Sequence, residues 1–138
     1  MILLDTSGLL AALDSAQRTH AAAAAALSAA AQPLLLSPFV LAELDYLLAT
    51  RVGEPARTSL LAEVASGAYQ LEPFSGIDTR EALAVVQRHA ALGVSLADAS
   101  IVVLAGRHHL QDLLTLDERH FRTLTANGRP FRLLPADA

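Results

Sequence analysis

Short apolar runs alternate along this chain with longer segments that have the composition of helices. The first run, residues 1–4, contains no polar residue, which suits a strand buried in a parallel sheet. Similar short runs recur between the helical segments or pairs of them, and the last is expected at an edge of the sheet. Five strands are therefore predicted, at residues 1–4, 34–36, 68–71, 113–115 and 131–133.

The helical segments begin and end at residues that commonly mark helix boundaries. Thr19 and Ser37 are suitable N-caps, and Pro38 fits the first position of a helix. Gly53 and Gly67 follow two of the segments and are typical of helix ends. Helices are predicted at residues 7–13, 20–31, 38–51, 55–66, 77–92, 96–108 and 118–123.

Strands that alternate with helices in this way favour βαβ units. The expected fold class is α/β: a three-layer α/β/α arrangement around a mainly parallel five-stranded sheet. No repeat, linker or charge block divides the 138 residues, so a single domain over residues 1–138 is expected. Ligand sites in such sheets lie beyond the carboxyl ends of the strands, so polar residues at those positions are candidates for a functional site.

Acidic residues occupy several of these positions. Asp5 ends the first strand, and Asp117 follows the fourth. Asp98 and Glu43 fall in the first and second turns of helices expected to start at the same edge. Carboxylates without sulfur ligands are typical of magnesium or manganese sites, and two such ions can activate water and stabilise the leaving oxygen in phosphodiester cleavage.

Each acid also has a purely structural interpretation. Ser95 and Asp98 have the spacing of a capping box, as do Thr115 and Glu118. Acids in a first helical turn are also stabilised by the helix dipole. Glu43 lies too far into its helix for either effect, although a solvated helix face remains an alternative. Asp5 has the weakest structural explanation.

The composition narrows the possible functions. The chain has no lysine among its ten basic residues, which excludes P-loop nucleotide hydrolysis and Schiff-base chemistry, and it has no cysteine. The net charge of −4 counts against nucleic-acid binding, unless divalent cations offset the clustered acids. Neither a signal peptide nor a membrane-spanning segment is expected, and a cytoplasmic location fits the absence of cysteine.

Four segments, in order, resemble the motifs of the PIN-domain family, and the compact length is similar to that of VapC-type toxins. The segments are residues 3–7 (LLDTS), 37–44 (SPFVLAEL), 96–101 (LADASI) and 114–121 (LTLDERHF). The resemblance implies RNA endonuclease activity that depends on Mg²⁺ or Mn²⁺, homodimerisation, and inhibition by a cognate antitoxin protein. It maps the catalytic and metal-binding acids onto Asp5, Glu43, Asp98 and Asp117, supported by the hydroxyls of Thr6, Ser7 and Thr115.

Other residues receive weaker roles. Arg119 and His120 are candidates for contact with a substrate phosphate near the start of a short helix. The pair His108-His109 lacks partners at zinc-ligand spacing. Two other functions remain open: a non-catalytic PIN-like module that binds a protein partner, and a receiver-type phosphoacceptor domain. The second ranks last because receivers use a lysine, which this chain lacks.

Overall fold

A single parallel sheet organises the chain. The computed structural model describes all residues from 1 to 138. Five of its strands form one sheet in the order β3-β2-β1-β4-β7, in which every pairing is parallel, and β5 pairs with β6 in a separate antiparallel hairpin. The strands are β1 (Ile2–Leu4), β2 (Leu34–Leu36), β3 (Gln70–Leu71), β4 (Asp112–Leu114), β5 (Thr125–Ala126), β6 (Arg129–Pro130) and β7 (Arg132–Leu134).

Seven α-helices connect and cover these strands. None of them has the length and apolar character that a membrane crossing requires. The helices are α1 (Thr6–Leu13), α2 (His20–Ala29), α3 (Pro38–Arg51), α4 (Glu54–Ala65), α5 (Gly76–Arg88), α6 (Leu96–His108) and α7 (Glu118–Phe121), and a short 3₁₀ turn (Ala90–Leu92) lies between α5 and α6.

The central strands are buried on both faces. Leu3 and Leu4 point to opposite faces of the sheet, and both are completely shielded from solvent. The same holds for Leu35 and Leu36 in the neighbouring strand β2. Apolar residues must therefore cover the sheet on both sides, which explains why these strands read as continuous leucine runs. The predicted α/β fold with a mainly parallel five-stranded sheet is confirmed.

Several boundaries differ from those predicted. The helix expected at residues 77–92 starts at Gly76 behind a Ser75 capping box and ends at Arg88. The edge strand is shifted by one residue, to Arg132–Leu134. Thr19 precedes α2 but makes no side-chain capping bond. The β5–β6 hairpin was not predicted at all, although Asn127 and Gly128 at its turn both have positive φ, which Asn-Gly pairs favour.

A close approach between α1 and β4 depends on Gly8. A Cβ atom at this position would lie 2.5 Å from the carbonyl oxygen of Leu114 and 2.8 Å from the backbone nitrogen of Thr115. Both contacts are with backbone atoms, which cannot rotate away. Glycine therefore lets α1 start directly against the carboxyl end of β4.

Gly8→Ala is expected to destabilise the fold by about 1–3 kcal/mol, because the added methyl forces the helix away from the strand. Urea denaturation measures the change in the free energy of unfolding. The matched control is Gly76→Ala at the start of α5, where nothing lies within 4 Å of an added Cβ. Equal stability of the two variants would contradict the close approach.

Candidate metal centre

Asp5 lies at the carboxyl end of β1, the central strand of the sheet, beside the end of β4. Its backbone N–H donates to the carbonyl of Leu114 at 2.9 Å, which continues the contact between the two strands. Only 4% of the residue is exposed. A buried carboxylate thus stands at the sheet edge where ligand sites form.

Two hydroxyl groups hold this carboxylate in place. Ser7 Oγ and Thr115 Oγ1 donate to Asp5 Oδ2 at 2.8 and 2.7 Å. Each hydroxyl oxygen in turn accepts a backbone N–H, from Leu116 and Asp117 respectively, at 2.9 Å. Both hydroxyl hydrogens are therefore directed at Asp5, which suits the supporting role expected for Ser7 and Thr115.

Glu43 is joined to the same edge by the residue next to Asp5. Thr6 Oγ1 donates to Glu43 Oε1 at 2.6 Å, so the start of α1 contacts the second turn of α3. Glu43 is exposed to solvent, as the alternative of a solvated helix face required. Its carboxylate is nevertheless tied to the segment that carries Asp5.

Asp98, Asp117 and His120 form the tightest group of potential metal ligands. One ligand atom from each lies within 4.8 Å of the other two. His120 Nδ1 is 2.9 Å from Asp98 Oδ2 and 3.0 Å from Asp117 Oδ2. Asp98 is 8% exposed. His120, predicted only as a phosphate contact, thus lies against two of the four acids.

The predicted site residues therefore form three small groups, namely Asp5 with Ser7 and Thr115, Glu43 with Thr6, and Asp98 with Asp117 and His120. Asp5 and Glu43 do not belong to the group of mutually close ligand atoms formed by Asp98, Asp117 and His120. The two parts adjoin each other, because Thr115 contacts Asp5 through its hydroxyl and the charge of Asp98 acts on Asp5. Arg119 is exposed on α7, close to this group in sequence.

Burial dominates the electrostatics of Asp5. Desolvation raises the pKa of its carboxyl group to about 6 from the ordinary 3.8. The hydrogen bonds from Thr115 and Ser7 oppose this effect, whereas the negative charge of Asp98 adds to it. A positive ion close to Asp5 and Asp98 would stabilise both carboxylates in their charged form.

A buried pair of serines connects the helices that carry Glu43 and Asp98. Ser100 Oγ donates to the carbonyl of Ala97 at 2.6 Å, and it lies 2.7 Å from Ser37 Oγ. Ser37 caps α3 by accepting the N–H of Phe39. Neither serine has any exposed surface. The first turns of α3 and α6 are thereby held together, which the sequence analysis did not foresee.

Capping and site geometry coexist in these acids. The predicted capping box of Ser95 and Asp98 is present. Asp117 caps α7 through Oδ1, which accepts the N–H of His120, and this leaves Oδ2 facing the imidazole. The capping box predicted for Thr115 and Glu118 is wrong. Thr115 is instead engaged with Asp5, and Glu118 pairs with Arg122 on the exposed side of α7.

Outside the site, other charged residues have local partners. Asp45, two residues from Glu43, is paired with Arg57 on α4. His108 contacts the buried carboxylate of Glu72. Neither His108 nor His109 belongs to a group of three potential ligands, as a zinc site would require.

The donor atoms of the centre fit a hard divalent cation. Carboxylate oxygens dominate, and sulfur is absent because the chain has no cysteine. The hydroxyls on Asp5 bond only Oδ2, so they leave the other oxygen without a side-chain donor. The cluster can therefore hold a divalent metal ion.

The chain belongs to the PIN-domain family, whose model matches residues 2–126. It is 41% identical over 135 residues to ribonuclease VapC26 of Mycobacterium tuberculosis, which covers 97% of this chain and 100% of that protein. Its fold is similar to that of Mycobacterium tuberculosis VapC20, a sarcin–ricin loop cleaving toxin, with a TM-score of 0.83, 22% identity, and coverage of 94% of this chain and 100% of that one. A toxin–antitoxin complex from Klebsiella pneumoniae matches with a TM-score of 0.68 and 22% identity over 90% of this chain and 92% of that one.

Asp5→Asn is expected to stabilise the metal-free protein at neutral pH. The folded state holds the Asp5 proton up to about pH 6, whereas the unfolded chain releases it near 3.8. The carboxylate therefore costs stability that is absent below about pH 4 and complete above about pH 6, up to about 3 kcal/mol. The amide oxygen of asparagine can still accept both hydroxyl bonds.

Urea unfolding in the presence of a chelator, from about pH 4 to about pH 8, measures this effect. The variant should gain on the wild type as the pH rises. A constant difference in the free energy of unfolding across that range would contradict the raised pKa of Asp5.

Proposed function

We propose that this chain is a divalent-metal-dependent endoribonuclease that hydrolyses RNA phosphodiester bonds, as the toxin of a type II toxin–antitoxin pair. Residues 1–138 would form one PIN-like domain. The observation that carries the proposal is the buried Asp5 carboxylate, which Ser7 and Thr115 hold and on which the charge of Asp98 acts. Asp98 in turn lies in one group of potential ligands with Asp117 and His120. The identity of 41% to a ribonuclease over nearly the whole chain supports it.

The resemblance of the four motifs to those of the PIN-domain family, together with the sheet-edge position of Asp5, supports the following roles. Asp5, Asp98 and Glu43 would hold the principal ion, and Asp117 would help to hold a second ion or would orient the attacking water. Mg²⁺ or Mn²⁺, when bound, would supply the activation of that water and the stabilisation of the leaving oxygen. The hydroxyls of Ser7 and Thr115 orient Asp5, and the hydroxyl of Thr6 orients Glu43.

Other residues would bring the substrate to these acids. Arg119 is exposed on α7 and has no acidic partner in the chain, so its guanidinium is free to contact a phosphate of the RNA. We further propose a homodimer, a cytoplasmic location and inhibition by a cognate antitoxin protein. The similarity to a chain of a toxin–antitoxin complex favours the last of these.

Asp5→Asn is expected to lower metal-dependent RNA cleavage by more than about a hundredfold while the protein stays folded, because the buried anionic ligand is lost. Gel analysis of a labelled RNA incubated with Mg²⁺ or Mn²⁺ measures the rate. Circular dichroism checks the fold of the variant.

The matched control is Asp45→Asn on α3. This substitution also exchanges a carboxylate for an amide, but it breaks only a partly exposed pair with Arg57, and such pairs contribute little to stability. Cleavage should persist in this variant. Equal activity of Asp5→Asn and the wild type would remove Asp5 from the catalytic centre.

Magnesium should also raise the melting temperature of the wild type. A cation that binds only the folded state adds about 2.7 kcal/mol at a concentration one hundred times its Kd. Differential scanning fluorimetry with Mg²⁺ and Mn²⁺ measures the shift, and Asp5→Asn should reduce it. A non-catalytic PIN-like module would show no cation-dependent shift and no cleavage.

A further inference from the structure

His120 lies between two carboxylates of the candidate metal centre. Its Nδ1 atom is 2.9 Å from Asp98 Oδ2 and 3.0 Å from Asp117 Oδ2, and its side chain is only 16% exposed. No other atom of the imidazole makes a hydrogen bond within the chain. The imidazole thus contacts both carboxylates through the same nitrogen atom, Nδ1.

The backbone of α7 fixes this arrangement. Asp117 Oδ1 accepts the backbone N–H of His120 at 3.0 Å, so the two residues are held one helical turn apart. Asp117 Oδ2 is left for the imidazole. On the other side, the Asp98 contact with the Ser95 N–H is long, at 3.3 Å, and Asp98 Oδ1 has no partner. Capping therefore leaves ligand capacity on both carboxylates.

Two of the three separations between the donor atoms fit a shared ion, and the third, between the Asp98 and Asp117 oxygens, is within 4.8 Å. Two ligands at right angles around an octahedral ion with bonds of about 2.1 Å lie about 3.0 Å apart. The two distances from His120 Nδ1 match this value. Without an ion, one N–H on Nδ1 can bridge the same two oxygens, so a cation would take the place of that proton.

We propose that His120 Nδ1 ligates a divalent cation together with Asp98 and Asp117, and that this nitrogen makes the centre prefer Mn²⁺ to Mg²⁺. The proposal rests on the proposed function and adds a ligand and a metal preference to it. Mg²⁺ binds oxygen almost exclusively, whereas imidazole nitrogen strengthens the binding of transition metals. A further carboxylate in the place of His120 would give no such preference.

The direct test is electron paramagnetic resonance of Mn²⁺ bound to the wild-type protein. Pulsed measurements detect the magnetic coupling between Mn²⁺ and a directly ligated nitrogen. Protein labelled with ¹⁵N only in histidine identifies the coupled nitrogen as an imidazole. We expect a histidine coupling in the wild type and none in His120→Asn.

Titration calorimetry supplies the second readout. Asparagine carries an amide oxygen or nitrogen at the position of Nδ1, so the fold and the contacts to both acids can be kept. In His120→Asn the preference for Mn²⁺ over Mg²⁺, measured as the ratio of the two Kd values, should fall by at least about tenfold.

The matched control is His109→Asn at the opposite end of α6 from Asp98. His109 has a positive φ of 51°, a conformation that asparagine adopts readily, and its ring contacts only Asn127. This variant should keep both the histidine coupling and the preference for Mn²⁺.

The outcomes separate this proposal from the proposed function. If Mn²⁺ binds without a histidine coupling, or if His120→Asn keeps the full preference, His120 is not a ligand, although RNA cleavage would still uphold the nuclease. If the wild type binds neither cation and cleaves no RNA, the proposed function fails and the ligand assignment fails with it.

Discussion

A carboxylate buried at the end of the central strand is the constraint on which the rest of the site depends. Asp5 follows β1, has β2 and β4 on either side of its strand, and is almost fully shielded from solvent. Its ionisation is opposed by burial and by Asp98, and favoured by the hydroxyls of Ser7 and Thr115. The fold thus buries a carboxylate away from the water that would stabilise its charge, and a cation bound beside it would offset that cost.

The packing of α1 and β4 around Asp5 provides the two hydroxyl groups that its buried carboxylate needs. Ser7 reaches Asp5 only because α1 starts against the end of β4, and Gly8 permits that contact. Thr115 reaches Asp5 because β1 and β4 are adjacent parallel strands. The hydroxyl pair is therefore a product of the sheet order, and both hydroxyls also bind backbone N–H groups that fix their direction.

The fold could be predicted from the sequence because the spacing of apolar residues indicates the strands and helices. The position of the acids at one edge of the sheet could be predicted because ligand sites in parallel sheets lie beyond the carboxyl ends of the strands. Contacts between residues far apart in the sequence could not be predicted. The contact of Ser37 with Ser100 joins residues 63 positions apart, and neither serine carries a distinguishing local pattern. The Asn127-Gly128 turn is different, because an Asn-Gly pair is itself a local signal for a tight hairpin turn.

A capping role and a metal-binding role do not exclude each other for these acids. A carboxylate has two oxygens, and Asp117 uses one to cap α7 and directs the other at His120. Asp98 caps α6 and contacts the same imidazole. Sequence patterns record only that an acid stands near a helix start, so they cannot separate a capping acid from one that also has an oxygen available for a metal ion.

The distribution of arginine bears on the negative net charge of the chain. Four of the ten arginines are paired with acids, namely Arg57, Arg107, Arg122 and Arg132. Of those without such a partner, Arg119 stands between Asp117 and His120 in sequence and is exposed. Screening at physiological ionic strength limits the reach of distant surface charges to about 8 Å. Cations bound at the centre, together with the guanidinium of Arg119, would therefore set the charge that an RNA backbone meets there, rather than the net charge of −4.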